Sequence, residues 1–183
     1  ASYLGGILFT TGDPLKQVAL TNEFQSSSKA PLLISMDAAY GLGGRLQRTL
    51  SFPNALSQGA INSDSLIHAM AVEIGRQLRL IGVHMNLAPV ANLTDVQQPG
   101  YAFDRYGEDQ FLVTSRLTSY LHGLQSQNIL ACAKYFPVHG ITVTDVIKGV
   151  PAAQPFVDSL QVSTFQQLFN HGIQAVMPGT SEF

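Results

Sequence analysis

Residues 31–37 read PLLISMD, a short apolar stretch that ends on a carboxylate. Such a run, opened by a proline and followed by a long Gly-rich segment at residues 38–62, is typical of a strand buried on both faces of a parallel sheet. The stretch therefore predicts an α/β fold in which Asp37 stands at the carboxyl end of a strand.

The same alternation of strand and helix extends from this stretch in both directions. Asp13 and Pro14 predict the start of a helix, because Asp caps the first turn and Pro fits its first position. Gly82 predicts the end of another helix. The whole pattern predicts strands at residues 5–9, 31–36, 84–90, 129–136 and 175–177, and helices at residues 14–27, 64–81, 109–127 and 158–170.

The connections are unequal in length. Long loops follow three of the strands, at residues 38–62, 91–108 and 137–157, whereas the opposite connections are short. A (β/α)8 barrel shows this asymmetry, because its active site is built on the carboxyl face of the strands. A doubly wound sheet gives a similar pattern, and the pattern alone leaves both folds open.

The composition excludes several classes of function. The 183 residues suit one globular domain spanning residues 1–183, with 45% hydrophobic and 12% charged residues. The net charge is -2 with no basic stripe, so we expect the protein to bind neither nucleic acid nor a membrane surface. Cys132 is the single cysteine, which permits no internal disulfide and assigns no compartment. The histidines lack zinc-ligand spacing and the glycines at 41–44 lack a complete nucleotide motif, so we expect no metal or cofactor.

Five polar residues in or near the loops are candidates for function. Asp37 suits a working residue at a barrel mouth, although a capping or turn Asp is as common. Arg105 could clamp a ligand oxygen, or pair with a neighbouring carboxylate. Lys134 interrupts an apolar strand, which favours a site because a buried Lys needs a partner. His139 and Asp145 share a loop in which Asp145 could orient His139, but a lone loop His is more often structural.

Taken together, these loops resemble the N-terminal barrel domain of family-3 glycoside hydrolases, in the β-N-acetylglucosaminidase (β-hexosaminidase) subgroup. The order and spacing of the motifs carry the resemblance, which runs from Gly5 to about Gly179. The motifs are GGILF at 5–9, PLLISMD at 31–37, GGR at 43–45, NLAPV at 86–90, RYGED at 105–109, CAKYFPVHG at 132–140 and AVMPG at 175–179.

The resemblance implies a TIM-type barrel and a sugar pocket. It implies that Asp37 grips sugar hydroxyls and that Arg105 and Lys134 line the same pocket, with His139 as a further substrate-binding residue. A carboxylate, an Arg and a Lys that converge on one pocket suit a polyhydroxylated ligand such as an amino sugar or glycan.

The chain also departs from the family pattern. The family carries Asp-Ser-His in the loop after the motif that reads FPVHG at 136–140 here, with the His as acid/base, whereas this chain reads Asp145-Val146-Ile147. Ile147 cannot carry a proton, so Asp145 is a remnant of the acid/base loop and His139 the one substitute nearby. The family's nucleophile lies on the strand after Met177, and the sequence ends at Phe183. We therefore expect no intact catalytic set in residues 1–183.

Three readings of function follow. The first is part of a β-N-acetylhexosaminidase-like barrel that hydrolyses O-glycosyl bonds in a longer parent protein and is inactive alone. The second is a non-catalytic carbohydrate-binding or scaffold module, and the third, ranked last, is an unrelated barrel enzyme acting on a phosphorylated metabolite. About five strands make the barrel incomplete, with two unpaired edges, so we expect either a homodimer or a missing C-terminal part of the barrel.

Overall fold

The computed structural model describes residues 4–93, 103–137 and 159–179. The described strands are β1 (Gly6–Phe9), β2 (Leu33–Met36), β3 (Met85–Asn86), β4 (Leu130–Phe136) and β5 (Ala175–Pro178). The described helices are α1 (Pro14–Ser27), α2 (Ala55–Gly59), α3 (Asp64–Leu80), α4 (Gln110–Ser126) and α5 (Ser159–Asn170). The predicted alternation of strands and helices is confirmed.

The order of the strands decides between the two folds that the sequence left open. All four strand pairs are parallel, and the order across the sheet is β1-β2-β3-β4-β5. Each strand thus pairs with its neighbour in the chain, as in a (β/α)8 barrel. In a doubly wound sheet the strands are also parallel, but their order across the sheet reverses after the first strands. The architecture is that of an incomplete α/β barrel.

Local signals at the helix ends explain most of the element boundaries. Asp13 Oδ1 accepts hydrogen bonds from the backbone N–H groups of Leu15 and Lys16, at 3.0 and 3.2 Å, and Pro14 opens α1. Gly82 ends the α3 segment with a φ of 75°, a conformation that costs glycine little. These residues act within one turn of the chain, which is why their roles were predictable.

Two predicted segments differ from the structure. Residues 38–62 are not one continuous loop, because they contain a 3₁₀ turn at Leu42–Gly44 and the short helix α2, whose N-cap is Asn54. The predicted strand at 84–90 pairs regularly only over Met85–Asn86, and Val90 then forms an isolated bridge to Lys134. Pro89 has no N–H to donate, so the ladder is interrupted before Val90.

The core lies between one face of the sheet and helices α3 and α4. Ile34 and Met36 from β2 are fully buried in one cluster with aliphatic side chains of both helices. Gly123 permits the close helix contact, because a Cβ there would lie 2.6 Å from the Ala71 Cβ. Each fully buried aliphatic side chain stabilises the fold by about 1.5–3 kcal/mol.

An ion pair joins α3 to α4 at the rim of this core. Asp64, in the first turn of α3, accepts hydrogen bonds from the Ser115 hydroxyl at 2.7 Å and from the Arg116 guanidinium. The Ser115 hydrogen bond, followed by the contact with Arg116, lowers the pKa of Asp64 below its ordinary value of 3.8. The contact between α3 and α4 is therefore strongest when the Asp64 carboxyl group is ionised.

The opposite face of the sheet is incompletely covered. The register pairs Leu8 with Ser35, which places Leu8 on the same face as Leu33, and Leu8 is 51% exposed. Cys132 is buried and free, as the sequence predicts for a small apolar side chain. Within the described ranges, no helix is both long and apolar enough to cross a bilayer.

Candidate functional site

An ion pair joins the carboxyl ends of β2 and β4. Lys134 Nζ lies 2.9 Å from Asp37 Oδ1, and Lys134 is only 4% exposed. Backbone hydrogen bonds hold Lys134 in place, from its N–H to the Pro89 carbonyl at 3.0 Å and from the Ala91 N–H to its carbonyl at 2.6 Å. The structure thus brings two of the predicted site residues together, although 97 positions separate them in the sequence.

Arg45 contacts the same carboxylate from the other side. Its Nη2 lies 2.6 Å from Asp37 Oδ2, and its Nε donates to the Asp37 carbonyl at 2.6 Å. Each carboxylate oxygen of Asp37 therefore has a cationic partner, which fixes the direction in which its remaining lone pairs point. Sequence reasoning did not select Arg45 as a site residue, although the motif at 43–45 contains it.

A glycine turn delivers Arg45 to Asp37. Gly41 has a φ of 83°, and its N–H donates to the Ala38 carbonyl at 3.1 Å. Gly43 donates to the Leu50 carbonyl at 2.8 Å, and a Cβ on Gly43 would lie 2.6 Å from the carbonyl carbon of Leu50. Only glycine permits this approach, which folds the chain back so that Arg45 reaches the carboxylate.

Buried polar groups hold the backbone that follows Asp37. Asn86 is completely buried on β3, where its Oδ1 accepts from the Ala38 N–H at 2.9 Å and its Nδ2 donates to the Ala38 carbonyl at 3.2 Å. The Tyr120 hydroxyl donates to the Ala39 carbonyl at 2.9 Å. Burial raises the pKa of Tyr120 well above its ordinary value, so this hydroxyl remains a donor.

A second asparagine holds the backbone that follows Lys134. Asn92 Oδ1 accepts from the Tyr135 N–H at 2.9 Å, and Asn92 Nδ2 donates to the Tyr135 carbonyl at 3.0 Å. Asn92 is buried, so a carboxamide satisfies both backbone groups where water does not reach. Asn86 and Asn92 thus position the two halves of the Asp37–Lys134 pair.

Asp37, Arg45 and Lys134 line one open cleft of about 260 Å³ at the carboxyl edge of the sheet. Arg105 also lines the cleft; it is 3% exposed, and its Nη1 donates to the Leu93 carbonyl at 3.0 Å. Tyr40 and Asp104 line the cleft as well; the Tyr40 hydroxyl donates to Asp104, and burial together with this carboxylate raises the pKa of Tyr40 above its ordinary value. The lining offers both acceptors and charged donors to a ligand.

The arrangement has a defined chemical capability. Both carboxylates of the cleft are engaged, Asp37 with Lys134 and Arg45, and Asp104 with Tyr40. Such carboxylates accept hydrogen bonds from ligand hydroxyls, while the neighbouring cations donate to ligand oxygens. No group of three His, Cys, Asp or Glu side chains that could hold a metal occurs in the part of the chain that the structure describes.

Three of the five predicted site residues, Asp37, Arg105 and Lys134, therefore share one cleft. The other two, His139 and Asp145, and the neighbouring Ile147, lie outside the described residues. The cleft adds Arg45, Tyr40 and Asp104, which the sequence analysis did not assign to the site.

Comparison of the sequence with known proteins finds one family model and several curated relatives. The family model described as the glycosyl hydrolase family 3 N terminal domain matches residues 2–183. A beta-hexosaminidase, LpqI, of Mycobacterium bovis is 30% identical over 164 residues, covering 85% of this chain and 42% of the relative. A beta-hexosaminidase of Methylobacillus flagellatus is 28% identical over 190 residues, covering 95% of this chain and 53% of the relative. The chain spans about half the length of these curated relatives.

Solved structures share the fold. NagZ from Neisseria gonorrhoeae, in complex with N-trifluoroacetyl-D-glucosamine, superposes with a TM-score of 0.81 at 18% identity, covering 98% of this chain and 56% of that one. The beta-glucoside phosphorylase BglX bound to 2FGlc gives a TM-score of 0.78 at 15% identity, covering 94% of this chain and 32% of that one. At these identities the likeness establishes the barrel-type architecture and nothing finer.

Proposed function

Because the chain belongs to glycosyl hydrolase family 3, whose N-terminal domain it carries, we propose that its cleft binds an amino sugar as part of a β-N-acetylhexosaminidase-type barrel. The observation that carries the proposal is the Asp37–Lys134 pair, held at 2.9 Å inside a cleft of about 260 Å³. A space of this size suits one sugar ring, and its charged lining suits a ligand rich in hydroxyl groups.

Each polar residue of the cleft has a distinct role in this proposal. Asp37 accepts hydrogen bonds from sugar hydroxyls, and its two cationic partners hold the carboxylate in a single orientation. Lys134 and Arg105, which both line the cleft, donate to sugar oxygens. Charge-assisted hydrogen bonds are about twice as strong as neutral ones, so the carboxylate should dominate the affinity.

We propose that the whole protein hydrolyses O-glycosyl bonds and that residues 1–183 alone bind without cleaving. Retaining hydrolysis needs a nucleophile and an acid/base on either side of one bond. Both described carboxylates of the cleft are already paired with side chains of the protein, and Ile147 stands where the family carries its acid/base His. The same substitution favours the second candidate, a carbohydrate-binding module without chemistry.

Calorimetric titration with N-acetylglucosamine, paired with an assay on 4-nitrophenyl N-acetyl-β-glucosaminide, tests the proposal. We expect saturable binding by the wild-type chain, loss of binding in Asp37→Asn, and no turnover by either. Asp109→Asn is the matched control, because the Asp109 side chain caps α4 outside the cleft lining and Asn caps equally well. Equal affinity in wild type and Asp37→Asn would overturn the site, and aryl-sugar turnover by residues 1–183 would overturn the absence of cleavage.

A further inference from the structure

Arg105 differs from the other predicted site residues in where the chain carries it. Asp37 and Lys134 stand at the ends of β2 and β4, whereas Arg105 lies on the connection between β3 and α4. It nevertheless lines the cleft and is only 3% exposed. Fixing a long side chain costs conformational entropy, so a buried Arg on a connection needs contacts that hold its backbone in place.

The residue before Arg105 is held by the turn that follows β2. There the Tyr40 hydroxyl donates to the Asp104 carboxylate. The backbone of Tyr40 is itself fixed, because its carbonyl accepts from the Phe52 N–H at 2.8 Å. One hydroxyl thus ties the connection after β3 to the turn after β2.

The residue after Arg105 is held by α2. The Tyr106 hydroxyl donates to Gln58 Oε1 at 3.0 Å, and Gln58 Nε2 donates to the Pro53 carbonyl at 2.6 Å. Gln58 is completely buried and Tyr106 is 6% exposed. Water cannot readily replace either partner, so the contact is costly to break.

A backbone contact brings α2 against the same stretch of chain. A Cβ on Gly59 would lie 1.7 Å from the Tyr106 carbonyl oxygen, so only glycine permits the approach. Because α2 has five residues, contacts of this kind and not intrinsic helix stability set its place in the fold.

We propose that Tyr40 and Gln58 are positioning residues, which grip the two neighbours of Arg105 and thereby fix Arg105 at the cleft. Residues 38–62 then set two of its cations, because they carry Arg45 directly and hold Arg105 from both sides. The inference rests on the proposed function only for its effect on sugar binding, since the grip belongs to the free protein.

The mobility of the Arg105 side chain tests the grip without any sugar. ¹⁵N relaxation of its Nε–H group, assigned by the loss of the signal in Arg105→Met, should show a rigid side chain in the wild type. Tyr106→Phe and Tyr40→Phe remove one hydroxyl each and keep the rings, and each should raise that mobility. Thr21→Val is the matched control: it removes a buried hydroxyl that donates to a backbone carbonyl on α1, outside the cleft lining, and should leave Arg105 rigid.

Titration with N-acetylglucosamine then shows whether the grip acts on binding through Arg105. Arg105→Met should weaken the sugar by ~10-fold, the loss of one charge-assisted hydrogen bond. Tyr106, which does not line the cleft, should act only through Arg105. Tyr106→Phe should therefore weaken the sugar several-fold in the wild type and have no further effect in Arg105→Met, a coupling that general destabilisation does not produce.

Two results would overturn the proposal. One is unchanged Arg105 mobility in both Tyr40→Phe and Tyr106→Phe, and the other is an equal loss of affinity from Tyr106→Phe with and without Arg105. If the mobility rises in both variants but the wild type does not bind the sugar, the grip on Arg105 stands and the proposed function is wrong.

Discussion

Replacing Asp37 with Asn isolates the energy of the central ion pair. The Lys134 side chain is 5% exposed and the Asp37 side chain 30%, so the substitution leaves a nearly buried ammonium beside a neutral amide. Breaking a fully buried pair costs about 3–5 kcal/mol. Asp37 is partly exposed, so solvent screens the pair and the cost is lower than for a fully buried one. Loss of the contact with Arg45, whose side chain is 36% exposed, adds at most about 1 kcal/mol to that cost. We expect a loss of about 2–3 kcal/mol, or roughly 5–10 °C in Tm for a chain of this size.

Urea unfolding of a double-mutant cycle separates pairing from packing. Lys134→Met removes the buried charge while keeping a long apolar side chain, and the double variant with Asp37→Asn contains neither charge. The double variant should therefore be more stable than Asp37→Asn alone, because no unpaired ammonium remains. A cost below about 0.5 kcal/mol for Asp37→Asn, or losses that simply add in the double variant, would refute this reasoning.

Three other perturbations test the surroundings of the site. Asp64→Asn should lower stability by about 1–2 kcal/mol at pH 7, because Ser115 and Arg116 lose their carboxylate partner. The pKa of Asp64 is depressed, so this contribution is present above its ordinary value of 3.8 and is lost as the pH falls below it. The gap between the thermal melts of the two proteins should therefore narrow as the pH falls below 3.8, and a constant gap would contradict the assignment. Asn86→Ala should cost about 2 kcal/mol and weaken sugar binding, because both backbone groups of Ala38 lose their partner; calorimetry showing unchanged affinity would remove Asn86 from the site. Light scattering should show residues 1–183 as a dimer that covers the β1 and β5 edges, and a clean monomer would rule this out.

The elements of the fold were predictable because their signals are local. Asp13 and Pro14 act on the first turn of the helix that they open, and Gly82 acts on the residues immediately before it. The pairing order of the strands was not predictable from pattern, because parallel neighbours meet only after a helix and two loops. The resemblance to a family favoured the barrel, and the sequential strand order confirms it.

Part of the candidate site was also predictable, because one of its residues gives a local signal in the sequence. Lys134 was conspicuous because a charge inside an apolar strand needs a partner, and that partner is Asp37. Arg45 was not conspicuous, since its approach depends on the close contact between Gly43 and Leu50. Asn86 contacts a backbone 48 residues away, a distance at which no spacing rule applies.

The most direct test of the account is the location of sugar binding. Amide chemical shifts of the ¹⁵N-labelled chain should be followed while N-acetylglucosamine is added, with Asp37→Asn as the comparison. The account predicts saturable shifts centred on Ala38 to Arg45 and on Arg105, absent in Asp37→Asn, because the cleft is built around that carboxylate. Saturable shifts that leave these residues unmoved, or that survive in Asp37→Asn, would contradict a sugar site at the carboxyl edge of the sheet.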